Sequence, residues 1–123
     1  MVNWFKNAQV SLEAPFVQKW RAQGVQLHVT ENPQSLILNS IIVPKEGRKQ
    51  GVGTQIMNEL ISYADQVGKR VELSPGVKDS YQGTTSRGRL VNFYKRFGFK
   101  ENKGRNKDYS MSNSMFREPN ELV

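Results

Sequence analysis

Cysteine is absent from the 123-residue chain, and histidine occurs once, at His28. The first absence excludes disulfides, thiolate metal sites and a cysteine nucleophile. The second argues against a histidine-built metal centre, so no metal cofactor is expected. Long apolar runs are lacking too. The longest, Ser35 to Pro44, is broken by Asn39 and Ser40, and falls short of the roughly 20 residues of a membrane-spanning helix. The N-terminal MVNWFKNAQVSLEAPF lacks the continuous apolar core of a secretory signal. A cytoplasmic protein with no membrane partner is the expectation. Acidic residues are scarce as well, 11 against 18 Lys and Arg, for a net charge of +7. Residues 87–123 concentrate that excess, with nine basic and four acidic side chains, whereas residues 1–86 carry nine and seven. An anionic partner follows, whether nucleic acid, acidic protein or polyanionic small molecule.

What remains is an ordinary globular composition, 37% hydrophobic and 24% charged, with no repeat or linker to divide it, so a single domain over residues 1–123 is expected. Ser11 to Gln23 reads as a short helix with Ser11 as its N-cap, Phe16, Val17 and Trp20 as its buried stripe, and Gly24 as its stop. Val25, Leu27 and Val29 alternate with polar residues, the period of a half-buried strand. After the turn Asn32-Pro33-Gln34, SLILNSIIVP predicts a more buried strand ending at Pro44. Thr54 to Val67 predicts a helix, with Ile56, Leu60, Ala64 and Val67 on one face, joined by Met57 and Ile61, and Gly68 as the stop. KRVELSP gives a short strand, and Thr85 or Ser86 is placed to cap a helix through Phe97. A strand begins at Phe99, and Asp108 to Arg117 alternates as a last one. The order α-β-β-α-β-α-β-β describes an α+β domain with a mixed sheet.

The most informative segment is VPKEGRKQGVGT, residues 43–54, set between a buried strand and a helix start. A helix N-terminus carries unpaired N–H groups and about half a positive charge. Glycine at 51 and 53 would let an anion approach the backbone, and Arg48 and Lys49 add formal charge, which together make a pyrophosphate cradle. A dinucleotide fingerprint would need glycine where Ile56 stands, and a Walker loop would need GK followed by Ser or Thr. A turn that uses its glycines for conformation alone is the competing reading.

Arg48-x-x-Gly51-x-Gly53, following Ile41-Ile42-Val43, resembles the acetyl-CoA signature of the GNAT superfamily of N-acetyltransferases, R/Q-x-x-G-x-G/A. A second block, Leu90-Val91-Asn92-Phe93-Tyr94-Lys95-Arg96-Phe97-Gly98-Phe99, is similar to the family's later helix, which ends Y-x-x-x-G-F. The two blocks stand in the family's order and span roughly residues 36–117. The resemblance implies a mixed, mostly antiparallel sheet flanked by helices, here with a truncated N-terminal part, as in the compact members of bacteriophages and mobile elements. It implies acetyl-CoA as co-substrate and an amine acceptor as partner. It places Arg48, Lys49, Gln50, Gly51, Val52, Gly53 and Thr54 on the pyrophosphate, and the main chain of Ile41 and Val43 on the pantetheine arm. Tyr94 falls at the family's general-acid position, although its spacing from Leu90 and Phe97 also suits a purely apolar helix face.

Glu72 is the candidate base, with an exposed strand carboxylate as the alternative; Glu31 and His28 are further candidates. Asn39 and Ser40 either contact substrate or mark a β-bulge near the acetyl group. The asparagine often found after the family's fifth strand is missing, since Ser74-Pro75-Gly76 follows Leu73. The basic residues from Arg87 to Lys107, with Tyr81 and Tyr109, could instead hold nucleic acid. A non-catalytic module that engages a host complex is the other alternative, and a homodimer is possible in a domain this short.

Overall fold

The fully buried apolar residues of the central strands all fall on one side of a single sheet. The computed structural model describes residues 10–44, 51–75 and 87–120. Its elements in chain order are β1 (Val10–Ser11), α1 (Pro15–Ala22), β2 (Gln26–Glu31), β3 (Ser35–Ile42), α2 (Val52–Val67), β4 (Arg70–Leu73), α3 (Arg87–Lys95), β5 (Lys100–Glu101) and β6 (Met115–Arg117). The six strands are ordered β1-β2-β3-β4-β6-β5. Only β3 and β4 run parallel, joined through α2; every other neighbouring pair is antiparallel. This is the α+β architecture expected from the sequence.

Leu27 and Val29 of β2, Leu36, Leu38 and Ile41 of β3, Val71 and Leu73 of β4 and Met115 of β6 all belong to one buried cluster. Paired residues on neighbouring strands share a face, so these side chains line the same surface. Helix α2 covers it with Ile56, Met57, Leu60 and Ala64. Helix α1 packs beside α2: Trp20 Nε1 donates to Glu59 at 2.7 Å, Lys19 Nζ lies 2.8 Å from the same carboxylate, and the rings of Phe16 and Tyr63 are 5.9 Å apart. Helix α3 adds Leu90, Val91 and Tyr94 to the same core. The other face carries Gln26 and His28, both exposed, with partly covered Ile37, Ser40, Ile42 and Phe116; no helix lies on it among the described residues.

Strand β3 absorbs one extra residue. His28 pairs with Ser40 but Val29 pairs with Leu38, so Asn39 is the unmatched residue of a β-bulge. In a regular strand the three-residue step from Leu38 to Ile41 would turn Ile41 away from the core; bulging out Asn39 resets the alternation. One of the two roles expected of Asn39 and Ser40 is therefore observed. The Asn39 side chain accepts a hydrogen bond from Thr30 Oγ1 at 2.5 Å.

Two boundaries differ from the sequence expectation. Ser11 is no N-cap: it pairs with Thr30 in β1, and α1 starts at Pro15 with Ala14 in the cap position. Proline is preorganised for a first helical position and holds the preceding residue extended, which fixes the start there. The last strand is confined to Met115–Arg117. Residues from Asp108 onward are diverted into a turn, because Asn102 binds both the N–H and the carbonyl of Asp108.

Arg117 ties the layers together. Its Nη1 and Nη2 reach Asp65 of α2 at 2.9 and 3.4 Å, and its Nε donates to the Phe97 carbonyl at 2.9 Å. Burial alone would push the Asp65 carboxyl up, but the hydrogen bonds from Arg117 and the Asn120 N–H, with the Arg117 charge, hold it below its ordinary value. A depressed carboxylate contributes stability that is fully present above the unfolded value near pH 4 and is lost as pH falls through the folded value. Arg117→Ala should cost about 3 kcal/mol in urea unfolding at pH 7 by leaving Asp65 buried without its partner. Between pH 5 and 3 the variant should lose less further stability than the parent chain; equal losses would mean the pair carries none of the acid dependence.

Candidate functional site

Parallel strands β3 and β4 stay in register from Ser35↔Arg70 to Leu38↔Leu73 and then part. Strand β3 continues through Asn39–Ile42, whereas β4 ends at Leu73. The bulge at Asn39 falls where the two separate, and bulges bend the strand that holds them. The result is a wedge between the carboxyl ends of two parallel strands, a position where α/β sheets commonly take ligands. Ile41 and Val43, singled out from the sequence, lie on the β3 side of this wedge, Ile41 within the strand and Val43 just beyond it.

Helix α2 begins beside the wedge. Gly51 occupies its N-cap in a left-handed conformation, φ 73° and ψ 19°, and supplies no side-chain cap; no acidic residue stands in the first turn. A helix start carries N–H groups and the positive end of the helix dipole, the features that meet an anion. A Cβ at Gly51 would meet nothing within 4 Å, while one at Gly53 would lie 3.7 Å from Phe93 Cζ of α3. Gly51 is therefore needed for its backbone, and Gly53 keeps the space between α2 and α3 narrow but open. Val52 and Thr54 complete the first turn. Arg48, Lys49 and Gln50 lie outside the described residues, as do Tyr81, Thr85 and Ser86.

Tyr94 lies on α3 and is 1% exposed. Its ring meets Phe93 and Phe99 edge to face at centroid distances of 5.2 and 5.9 Å. Glu72 projects to the other side of the sheet, between its register partners Ile37 and Phe116. It is not the exposed carboxylate weighed as an alternative: its relative exposure is 6%. Arg70 Nε and Nη2 donate to Oε2 at 3.1 and 2.9 Å, and Asn113 Nδ2 donates to Oε1 at 3.2 Å. Ser74 Oγ in turn donates to Asn113 Oδ1 at 3.1 Å and accepts from the Ser114 N–H at 3.0 Å. The sheet thus separates the phenol from the carboxylate, and the wedge is where the two faces communicate.

The remaining candidates divide. Glu31 is bound by Lys69 Nζ at 2.8 Å and by the Tyr63 hydroxyl at 3.3 Å, and it pairs with Leu36, at the opposite end of β3 from the wedge. It serves the fold. His28 is exposed on the helix-free face opposite Ser40. Asn113, Ser74 and Arg70 were not anticipated. Reading Asp108 to Arg117 as one strand hid the turn that brings Asn113 back to Glu72.

Comparison with known proteins agrees with this geometry. The sequence model of the acetyltransferase (GNAT) domain matches residues 17–101. No curated protein matches the chain. Among solved structures, the anti-CRISPR protein AcrVA5 superposes with a TM-score of 0.59 at 17% identity, covering 89% of this chain and 97% of its own. Ard1 from Thermoplasma volcanium superposes with a TM-score of 0.51 at 20% identity, covering 77% of this chain and 64% of its own. Both neighbours share the fold. Among the described residues, no helix is long and apolar enough to cross a membrane.

The two glycines should respond differently to alanine. Gly51→Ala forces a Cβ into a left-handed backbone and should destabilise by about 1–2 kcal/mol. Gly53→Ala should be neutral or stabilising by up to about 1 kcal/mol, because it removes a flexible residue from a helix. Urea unfolding of both variants checks the contrast, and equal losses would contradict it.

Proposed function

The chain belongs to the GNAT acetyltransferase family, and from that membership we propose that it is an acetyl-CoA-dependent N-acetyltransferase acting on a primary amine of a protein or small molecule. The observation that carries this reading is the wedge between β3 and β4 beside the uncapped start of α2. Backbone N–H groups of Gly51, Val52, Gly53 and Thr54 would hold the pyrophosphate, with Arg48, Lys49 and Gln50 leading in. The main chain of Ile41 and Val43 would pair with the pantetheine arm as an added strand does. A backbone N–H there would polarise the thioester carbonyl.

Direct transfer forms a bond between the acceptor nitrogen and the acetyl carbon and breaks the carbon–sulfur bond. Two protons must move. Tyr94 would give its phenolic proton to the departing sulfur, which a group of pKa near 10 can do without being ionised at neutral pH. Glu72 would collect the first ammonium proton, directly or through a water, from the opposite side of the sheet, and the second, shed by the nitrogen as the amide forms, would restore the Tyr94 phenol. Acid and base on opposite faces suit an acceptor and a thioester that meet in the wedge from opposite directions.

A second reading has a specific observation in its favour. Both Glu72 oxygens already accept hydrogen bonds, and Tyr94 is almost wholly enclosed. A non-catalytic module that binds acetyl-CoA through the same groove would tolerate both facts.

Isothermal titration with acetyl-CoA tests the shared premise. The parent chain should bind saturably, and Gly53→Val should not, while keeping its thermal midpoint. Tyr94→Phe should bind normally but lose about a hundredfold or more in turnover. Undiminished turnover removes Tyr94 as the acid, and binding without turnover on any amine selects the non-catalytic module. Deleting Asn39 should restore regular alternation in β3, leave the fold intact and abolish binding by closing the wedge; retained affinity would mean the bulge does not shape the groove.

A further inference from the structure

We propose that the loop between β5 and β6 is a docking surface for single-stranded nucleic acid, built from residues other than those assigned to acetyl-CoA. The loop is built rather than loose. Asn102 is buried, and its side chain donates to the Asp108 carbonyl at 3.0 Å and accepts from the Asp108 N–H at 2.8 Å. Its own N–H donates to the Ser114 carbonyl at 2.7 Å. Gly104 makes the reversal at φ +85°, closed by Lys107 N–H to the Gly104 carbonyl at 3.2 Å. Buried Met111 anchors the returning limb.

This scaffold turns Lys103, Arg105, Lys107 and Tyr109 outward, all exposed. The nearby acids leave their charge unbalanced. Glu101 is shared between Lys95 and Lys103 at 3.3 and 3.4 Å, and Asp108 is turned onto the N–H and hydroxyl of Ser110. Lys100, Arg105 and Lys107 enter no ion pair among the described residues.

The aromatic ring selects among anions. Tyr109 is 83% exposed, the most exposed large hydrophobic side chain among the described residues. Lys107 Nζ stands 5.3 Å from its ring centroid. An acidic peptide would use the cations and leave the ring idle. An unpaired base stacks on such a ring while its phosphates meet the flanking cations, which is how sequence-tolerant single-strand binding works. A duplex keeps its bases stacked internally and has no use for the ring. The loop leaves the sheet at the Leu73 end of β4, the end at which the wedge opens, and its Asn113 reaches Glu72. Lys103, Arg105, Lys107 and Tyr109 are none of the groups assigned to acetyl-CoA or to proton transfer, so the inference does not rest on the acetyl-transfer reading.

Fluorescence anisotropy of a labelled oligothymidylate and an oligouridylate, titrated with the full chain across a salt series, tests it. Saturable binding should weaken with salt. The double variant R105A/K107A should flatten the log–log salt slope by about 1.4, since each neutralised phosphate contributes about 0.7 on single strands. Tyr109→Ala should weaken binding roughly 5- to 150-fold, as the loss of one stacked base does. All three residues are exposed, so these variants should retain the parent thermal midpoint. Saturating acetyl-CoA should leave the titration unchanged. No binding at low salt, an unaffected Tyr109→Ala, equal competition by polyglutamate, preference for duplex, or displacement by acetyl-CoA would each overturn the proposal.

Discussion

The sheet buries its apolar side chains on one face only, and nearly every feature of the site follows from that constraint. A strand packed on one side must keep strict alternation, yet Leu38 and Ile41 are separated by an odd step. The bulge at Asn39 reconciles them. It does so where β4 ends, so the bulge that accommodates the extra residue also falls at the opening of the sheet. Packing and cavity are thus consequences of a single inserted position.

The opening matters because of what flanks it. On the helix side, α2 starts at a left-handed Gly51, and Phe93 lies 3.7 Å from where a Cβ at Gly53 would stand. On the other side, Arg70, Asn113 and Ser74 fix the Glu72 carboxylate in one orientation. A buried carboxylate with three donors is held rigidly and at low cost, since its charge is compensated where it sits. Rigid placement of groups on both sides of a narrow gap is what a transfer reaction between two substrates requires.

Much of this was legible in the sequence. Period-2 alternation from Val25 to Thr30 and the apolar run from Ser35 to Pro44 identified the central strands, and helical spacing from Ile56 to Ala64 identified α2. Gly51 and Gly53 marked the start of α2, because glycine at 51 has a conformational reason there. Ser11 misled because a capping residue was judged without the proline that follows it. The last strand misled because its alternation between Asp108 and Ser114 is real in sequence, but Asn102 diverts the backbone of that stretch into a turn. Asn113 and Ser74 escaped notice for a related reason. Asn113 reaches both Glu72 and Ser74 across about forty residues of chain, and no local pattern records a contact of that range.

Both margins of the sheet, β1 and β5, consist of two paired residues. A margin that short offers little template for another strand, and at β5 one of the two positions is Lys100. Among the described residues, then, the marginal strands themselves offer few groups for continued strand pairing, the usual route from an exposed sheet to fibres. The helix-free face is the larger surface that the sheet leaves to a partner.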